Sequence, residues 1–183
     1  MKYPIGIPLN SEFRRRIQQI NDTEIGVHVG NQIRLIEKLS KEHPHSISLV
    51  SEARPDDPET WRYNCYEFTF GLNKSEDCIS LAGRGIFVNG EYVSWFINNY
   101  LKEITKSEIQ NGDFIIYFSS DEIVHSGIWK LGQVRSKWGK FHTWDHDIDE
   151  VPSNYGNKVS FYRSISGEKC LEGFLQYARE KGQ

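Results

Sequence analysis

Apolar residues recur at two different spacings along the chain, and the change from one to the other predicts helices first and strands later. Segments 11–21 and 30–42 repeat apolar residues every three or four positions, which is the period of a helix with one buried face. The polar, proline-containing stretch 54–60 follows them. We expect it to divide an N-terminal helical extension, 1–58, from a core, 59–183, the two forming one compact unit.

Segment 61–72 fits both a strand and a helix, because its aromatic residues alternate while Cys65, Phe68 and Leu72 follow helical spacing. Asn64 stands immediately before Cys65 and is a favourable N-cap residue. This cap favours a helix that begins at Cys65. Two further helices are predicted, over residues 92–104 and 168–179.

From residue 113 onward the apolar pattern is that of strands, separated by a turn at Gly132 and a loop over 139–157. Strands are predicted at residues 113–118, 122–130, 133–138 and 158–163. Helices followed by an antiparallel meander predict an α+β fold. In this fold the helix of Cys65 is expected to pack on the antiparallel sheet.

Composition and charge exclude several classes of protein. A hydrophobic fraction of 38% and an aromatic fraction of 13% argue against disorder in this chain of 183 residues. The net charge is −3 and the basic residues are scattered except for Arg14-Arg15-Arg16, so no nucleic-acid partner is expected. No window has the roughly 18 apolar residues of a membrane span, and no signal peptide is evident. We therefore expect a cytoplasmic protein, with export by a leaderless route left open.

The candidate chemistry lies in Cys65 and His125, a thiol at a predicted helix start and an imidazole on a predicted strand. A helix N-terminus lowers a thiol pKa and presents N–H groups that can bind an oxyanion, so a thiolate near neutral pH is predicted. His125 would act as its general base. Cys78, in a polar loop, and Cys170, in the terminal helix, have less to recommend them. The alternative is that Cys65 is a buried small apolar residue and His125 a core histidine.

A third residue must orient the base, and the sequence offers His146, His142 and Lys137. The two histidines are four residues apart and flanked by Asp145 and Asp147, so a metal site is a further possibility. No third ligand has the spacing of a metal motif. We therefore expect neither a metal nor a cofactor.

Three segments together resemble the NlpC-type branch of the papain-like cysteine peptidases. They are Asn64-Cys65 opening a helix, the turn and strand Ile109-Gln110-Asn111-Gly112-Asp113-Phe114-Ile115-Ile116-Tyr117-Phe118, and the strand Val124-His125-Ser126-Gly127-Ile128-Trp129. The later segments Ser136-Lys137-Trp138-Gly139, His146, Tyr155-Gly156 and Phe161-Tyr162 are similar to a bacterial subgroup of this superfamily. The resemblance covers about residues 61–163. It implies a papain-like fold, Cys65 as nucleophile, His125 as base and His146 as the first choice for the orienting residue.

The resemblance implies a cysteine peptidase, amidase or deamidase that hydrolyses an amide or peptide bond. The substrate would be a peptide or acyl compound, including a peptidoglycan peptide or a protein. Two alternatives remain open: a catalytically silent papain-like binding module, and a metal-binding protein that uses His142 and His146. The sequence does not indicate the oligomeric state.

Overall fold

An antiparallel β-sheet with helices on both faces forms the centre of the molecule. The computed structural model describes residues 2–4, 11–22, 30–54, 56–139 and 141–182. Within these residues the strands are β1 (Tyr3–Pro4), β2 (Ser48–Ser51), β3 (Glu103–Ile104), β4 (Phe114–Ser119), β5 (Glu122–Lys130), β6 (Gln133–Lys137), β7 (Thr143–His146) and β8 (Lys158–Tyr162). The helices are α1 (Ser11–Asp22), α2 (Gly30–Leu39), α3 (Cys65–Thr69), α4 (Glu76–Ala82), α5 (Gly90–Tyr100) and α6 (Gly167–Glu180). Short 3-10 turns cover Pro58–Thr60, Lys106–Glu108 and Ser153–Tyr155.

The strands follow the order β1-β8-β4-β5-β6-β7-β2, and β3 also pairs with β8. Each of these pairings is antiparallel. The hairpin of β4 and β5 places Ile116 opposite Ser126, and a register irregularity follows Tyr117. The sheet confirms the predicted α+β class.

Strand β4 separates two hydrophobic cores, because its residues are buried on both faces of the sheet. Phe114, Ile116 and Phe118 belong to the first core, which includes buried residues of α3, α4, α5 and α6. Ile115 and Tyr117 belong to the second core, which α1 and α2 cover. This double burial explains why residues 113–118 read as an almost continuous apolar run.

The predicted strands at 113–118, 122–130, 133–138 and 158–163 are confirmed to within one residue at each end. The predicted loop 139–157 is wrong in part, because it contains β7 and a 3-10 turn. Strand β7 has only four residues, and its pairing with β6 and β2 stabilises it more than its own pattern does.

Two further predictions, one of a loop and one of a helix, need correction. Cys78 does not lie in a loop but in α4, where Ser75 caps the helix by accepting from the Cys78 N–H. The helix predicted over residues 92–104 is α5, which begins after the N-cap Asn89 and ends at Tyr100. Glu103 and Ile104 pair with β8 instead of continuing the helix.

The N-terminal extension is integrated into the fold. Its strand β2 pairs with β7 at one end of the sheet, and its helices α1 and α2 cover the second core. The first strand, β1, pairs with β8 near the opposite edge. Of the helices in the described residues, none is both long and apolar enough to span a membrane.

Candidate active site

Cys65 is the first residue of α3, as the cap at Asn64 predicted. The Asn64 side chain accepts hydrogen bonds from the N–H groups of Tyr66 and Glu67, at 2.8 and 3.0 Å. Glu67 completes a capping box by accepting from the Asn64 N–H at 2.8 Å. The cap therefore occupies two of the N–H groups that were expected to form an oxyanion hole.

The Cys65 thiol is buried, with 8% of the residue exposed. Burial raises the pKa of Cys65 to about 12, although hydrogen bonding to the backbone and side chain of Ser126 acts in the opposite direction. The prediction of a thiolate near neutral pH is therefore wrong for this state of the protein. Loss of hydration outweighs the N-terminus of a helix only five residues long.

The contact with Ser126 locates the thiol at the point where two strands separate. The Trp129 N–H donates at 2.8 Å to the carbonyl of Asp113, the residue before β4. N–H groups point alternately to the two sides of a strand, so the Ser126 N–H of β5 points away from β4 and toward β6. Paired residues of β5 and β6 extend only as far as Ile128 and Arg135. The thiol thus lies beside the gap between β5 and β6.

His125 lies at the centre of β5, as predicted, and is fully buried. Its ring stacks on Tyr155 with 3.9 Å between centroids and 13° between planes, and it packs against Tyr117 at 5.5 Å. Both tyrosines belong to the second core. Burial, together with the nearby His146, lowers the pKa of His125 well below its ordinary value.

Neither ring nitrogen of His125 has a hydrogen-bond partner among the described residues. The prediction that Cys65 and His125 lie within hydrogen-bonding reach is therefore wrong, because no hydrogen bond joins them. Cys65 is buried in the first core, whereas His125 packs against tyrosines of the second core, on the other face of the sheet. The two residues are nevertheless linked, because Ser126, which follows His125 directly, donates from Oγ to Cys65 O at 3.2 Å and to Thr69 Oγ1 at 2.9 Å. An unpartnered buried imidazole is rare in proteins and requires an explanation.

His146 does not hydrogen-bond to His125, contrary to its expected role as orienting residue. Its Nδ1 lies 2.7 Å from Asp147 O, and since a carbonyl can only accept, Nδ1 carries the proton. Its Nε2 then accepts from Ser136 Oγ at 2.8 Å. Burial lowers the pKa of His146 to about 4, so the ring is neutral.

His142 and His146 cannot bind one metal ion together. His142 precedes β7 and His146 ends it, and a strand rises about 3.3 Å per residue, which separates the two side chains by roughly 13 Å. His142 Nδ1 also accepts from the Ala53 N–H at 3.0 Å. The described residues contain no group of three or more histidine, cysteine or acidic side chains that could hold a metal.

Lys137, the remaining candidate for the third residue, lies near Cys65. Its ammonium donates to Thr60 O at 2.8 Å and Phe141 O at 2.5 Å, and lies 4.4 Å from the centre of the Tyr63 ring. Burial lowers the pKa of Lys137 to about 8, an effect that the negative charge of a Cys65 thiolate would oppose. A cation is thus available on the thiol side of the sheet.

An open groove of about 510 Å³ lies beside α3. It is bounded by Phe68 of α3 and by residues of four strands and a turn, which are Val50, Ser51, Asn111, Gly112, Ile128, Lys130, Arg135 and Thr143. Phe68 stacks on Tyr63 at 6.4 Å, and Tyr63 in turn contacts Lys137. The groove therefore lies on the same side of the sheet as the thiol.

Sequence reasoning assigned no role to Ser126 or Tyr155, although each contacts a candidate residue. Ser126 was regarded only as part of the strand motif. Tyr155 lies in the predicted loop 139–157, where its sequence signal is the neighbouring Gly156, a residue type that readily adopts the positive φ found there.

The fold and these contacts define an α+β protein in which a capped helix places a thiol against a strand of an antiparallel sheet, and the same strand carries a buried histidine. The chain belongs to the family named DUF7689, a domain of unknown function, whose model matches residues 54–163. No curated protein and no solved structure matches the chain.

Proposed function

We propose that the protein is a cysteine-dependent hydrolase of the papain-like type that cleaves an amide or peptide bond. The observation that carries this proposal is the contact of the Cys65 thiol with Ser126, the residue next to His125, whose buried imidazole has both nitrogens free of described partners. One nitrogen of a neutral imidazole carries no proton and can act as an acceptor, although burial makes protonation of His125 less favourable.

The pKa shifts favour a neutral pair over a preformed ion pair. Burial raises the pKa of Cys65 and lowers that of His125, so both are uncharged near neutral pH. Cys65 belongs to the first core, whereas His125 packs against tyrosines of the second core on the other face of the sheet. The proposed reaction therefore needs a proton path through the gap between β5 and β6, where the thiol contacts Ser126. By this path His125 accepts the thiol proton while sulfur attacks the acyl carbon. The imidazolium then donates this proton to the leaving amine, and water hydrolyses the thioester. The Lys137 ammonium would stabilise the negative charge that develops near Cys65.

The groove beside α3 favours an extended peptide as substrate. Its lining combines apolar side chains with Lys130 and Arg135, which suits an apolar peptide or acyl group that bears a carboxylate. Since Arg135 already pairs with Asp145 at 2.8 Å, Lys130 would be the residue that contacts this carboxylate. A peptidoglycan peptide meets this description, and so does an acidic protein segment.

A catalytically silent binding module is the second candidate function. The burial of both Cys65 and His125 favours it, because a substrate must reach the thiol. In such a module the groove would bind a peptide without cleaving it.

Acylation of Cys65 separates the two candidates. The purified chain would be incubated with a panel of short peptide thioesters and muropeptides, and the acyl adduct followed by intact-protein mass spectrometry and peptide mapping. We expect an adduct on Cys65 that is absent in Cys65→Ala and forms roughly 100-fold more slowly in His125→Ala. Cys170→Ser is the matched control and should behave as the unchanged protein. Tight peptide binding without an adduct would support the silent module instead. Equal rates of adduct formation with and without His125 would contradict the role of His125 as the base.

A further inference from the structure

The imidazole of His125 is held by packing rather than by hydrogen bonds. Its nitrogens have no partner in the described part of the chain, whereas the Tyr155 ring lies face to face with it at a centroid distance of 3.9 Å. Tyr117 contacts it at an angle of 48°. A ring orientation fixed in this way depends on where the neighbouring aromatic ring is held.

The Tyr155 turn is anchored from two directions. Hydrogen bonds join the Tyr155 side chain to the Asn21 side chain at the end of α1 and to the Gly139 backbone. Asn21 also accepts from Gln32 of α2 at 3.1 Å. On the other side of the turn, Gly156 adopts a φ of +86° and packs so closely on Phe118 O that a Cβ atom would overlap with it.

Arg14 of α1 fixes the same turn. With 5% of the residue exposed, its guanidinium donates to Val151 O at 3.0 Å, to Pro152 O at 3.2 Å and to Gly156 O. A buried cation that donates to three carbonyls of one short segment defines the position of that segment. Gln18 of α1 adds a fourth contact by accepting from the Asn154 N–H at 3.1 Å.

We infer that Tyr155 is the positioning residue of His125 and that Arg14 of the N-terminal extension holds it in place. This inference rests on the proposed function. It assigns to an aromatic stack the role that we first expected of His146. Because the family model begins at residue 54, α1 lies outside it, and the functional unit of this chain would be larger than the family domain.

The test combines two measurements on the full chain. The first is the pH profile of Cys65 acylation by a peptide thioester, and the second is the side-chain 15N NMR spectrum of His125. Tyr155→Phe keeps the ring but loses the hydrogen bonds of the hydroxyl group, while the Arg14 bonds still hold the turn. For this variant we expect acylation within about threefold and an unchanged His125 signal. For Tyr155→Leu, we expect acylation at least tenfold slower, an acidic limb shifted toward pH 6.5 as the imidazole gains hydration, and a shifted His125 signal.

Arg14→Gln provides a milder variant in case Tyr155→Leu fails to fold, and we expect changes in the same direction. Arg15→Gln, an exposed neighbour on α1, is its matched control and should match the unchanged protein. The inference would be overturned if folded Tyr155→Leu or Arg14→Gln shows unchanged rates, pH limb and NMR signal while His125→Ala still slows acylation roughly 100-fold. If His125→Ala has no effect on acylation, the proposed function fails and the positioning role fails with it.

Discussion

Burial acts in opposite directions on Cys65 and His125, because it disfavours the charged form of each. The thiol resists losing its proton and the imidazole resists gaining one. A helix N-terminus alone would have suggested a reactive thiolate. In the folded protein Cys65 is therefore a neutral thiol, which becomes nucleophilic only when a base removes its proton.

This state of Cys65 predicts slow alkylation. At pH 7 we expect iodoacetamide to modify Cys65 of the folded chain at least tenfold more slowly than a free model thiol. The rate for Cys65 should still rise with pH above about pH 9, where the model thiol levels off. Alkylation would be located by peptide mapping. The same chain in guanidinium chloride is the control, and Cys65, Cys78 and Cys170 should all react there. Rapid modification of folded Cys65 at pH 6 would contradict the raised pKa.

Lys137 offers a second residue-scale prediction, because its ammonium is the donor to two carbonyls, Thr60 O and Phe141 O. Lys137→Met would destabilise the protein by leaving both carbonyls without this donor. It would also remove a charge whose burial is unfavourable, which offsets part of that loss. We expect a net loss of about 2 kcal/mol in the free energy of unfolding, measured by urea denaturation. Lys130→Met, at an exposed site, is the matched control and should change stability by less than about 0.5 kcal/mol. Equal stabilities of the two variants would show that the buried contacts contribute little.

At the scale of elements, the close approach of α5 and α6 depends on Gly173. A Cβ atom at this position would lie 2.5 Å from Cε2 of Phe96, a fully buried residue of α5. Phe96 in turn stacks at 5.3 Å on Tyr92, at the centre of the first core. The Phe96 ring of α5 therefore packs directly on the backbone of α6 at Gly173, where a side chain would leave no room for it.

Gly173→Ala should accordingly destabilise the protein even though alanine favours helix formation. We expect a loss of about 1–2 kcal/mol, since overpacking outweighs the gain in helix propensity. Urea denaturation followed by circular dichroism would measure it. Gly167→Ala, at the first residue of α6 with no atom within 4 Å of the added Cβ, is the control and should be neutral or slightly stabilising. Stabilisation by Gly173→Ala would mean that Phe96 can move aside.

At the scale of the whole molecule, the buried histidines link folding to pH. The folded-state pKa of His146 is about 4, whereas that of the unfolded chain is near 6.5. The stabilising effect of the neutral ring is fully present above pH 6.5. It is lost as the pH falls toward 4, because the unfolded chain then binds a proton that the folded chain excludes. His125 acts in the same direction.

We therefore expect the free energy of unfolding to fall by on the order of 3 kcal/mol for His146 alone between pH 6.5 and pH 4. Urea denaturation across this range would measure the loss, and His146→Gln should reduce the dependence on pH. A free energy of unfolding that stays constant from pH 7 to pH 4.5 would contradict the burial of neutral histidines.

Local patterns determined those features of this protein that depend on neighbours in sequence. The Asn64 cap predicted that α3 begins at Cys65, and the apolar runs predicted β4 and β5 with His125 at the centre of the latter. They could not predict β7, because a four-residue strand is stabilised by pairing with β6 and β2.

The tertiary structure alone decided the surroundings of the candidate residues. Burial reversed the expected pKa shift of Cys65, and the partners of His146 turned out to be Ser136 and Asp147. Tyr155 stacks on His125, which lies thirty residues earlier in the sequence. Arg14 of α1, more than a hundred residues earlier, donates to the carbonyl of Val151 beside the Tyr155 turn. Desolvation, strand register and aromatic stacking arise from residues that are distant in the chain, so no local pattern encodes them.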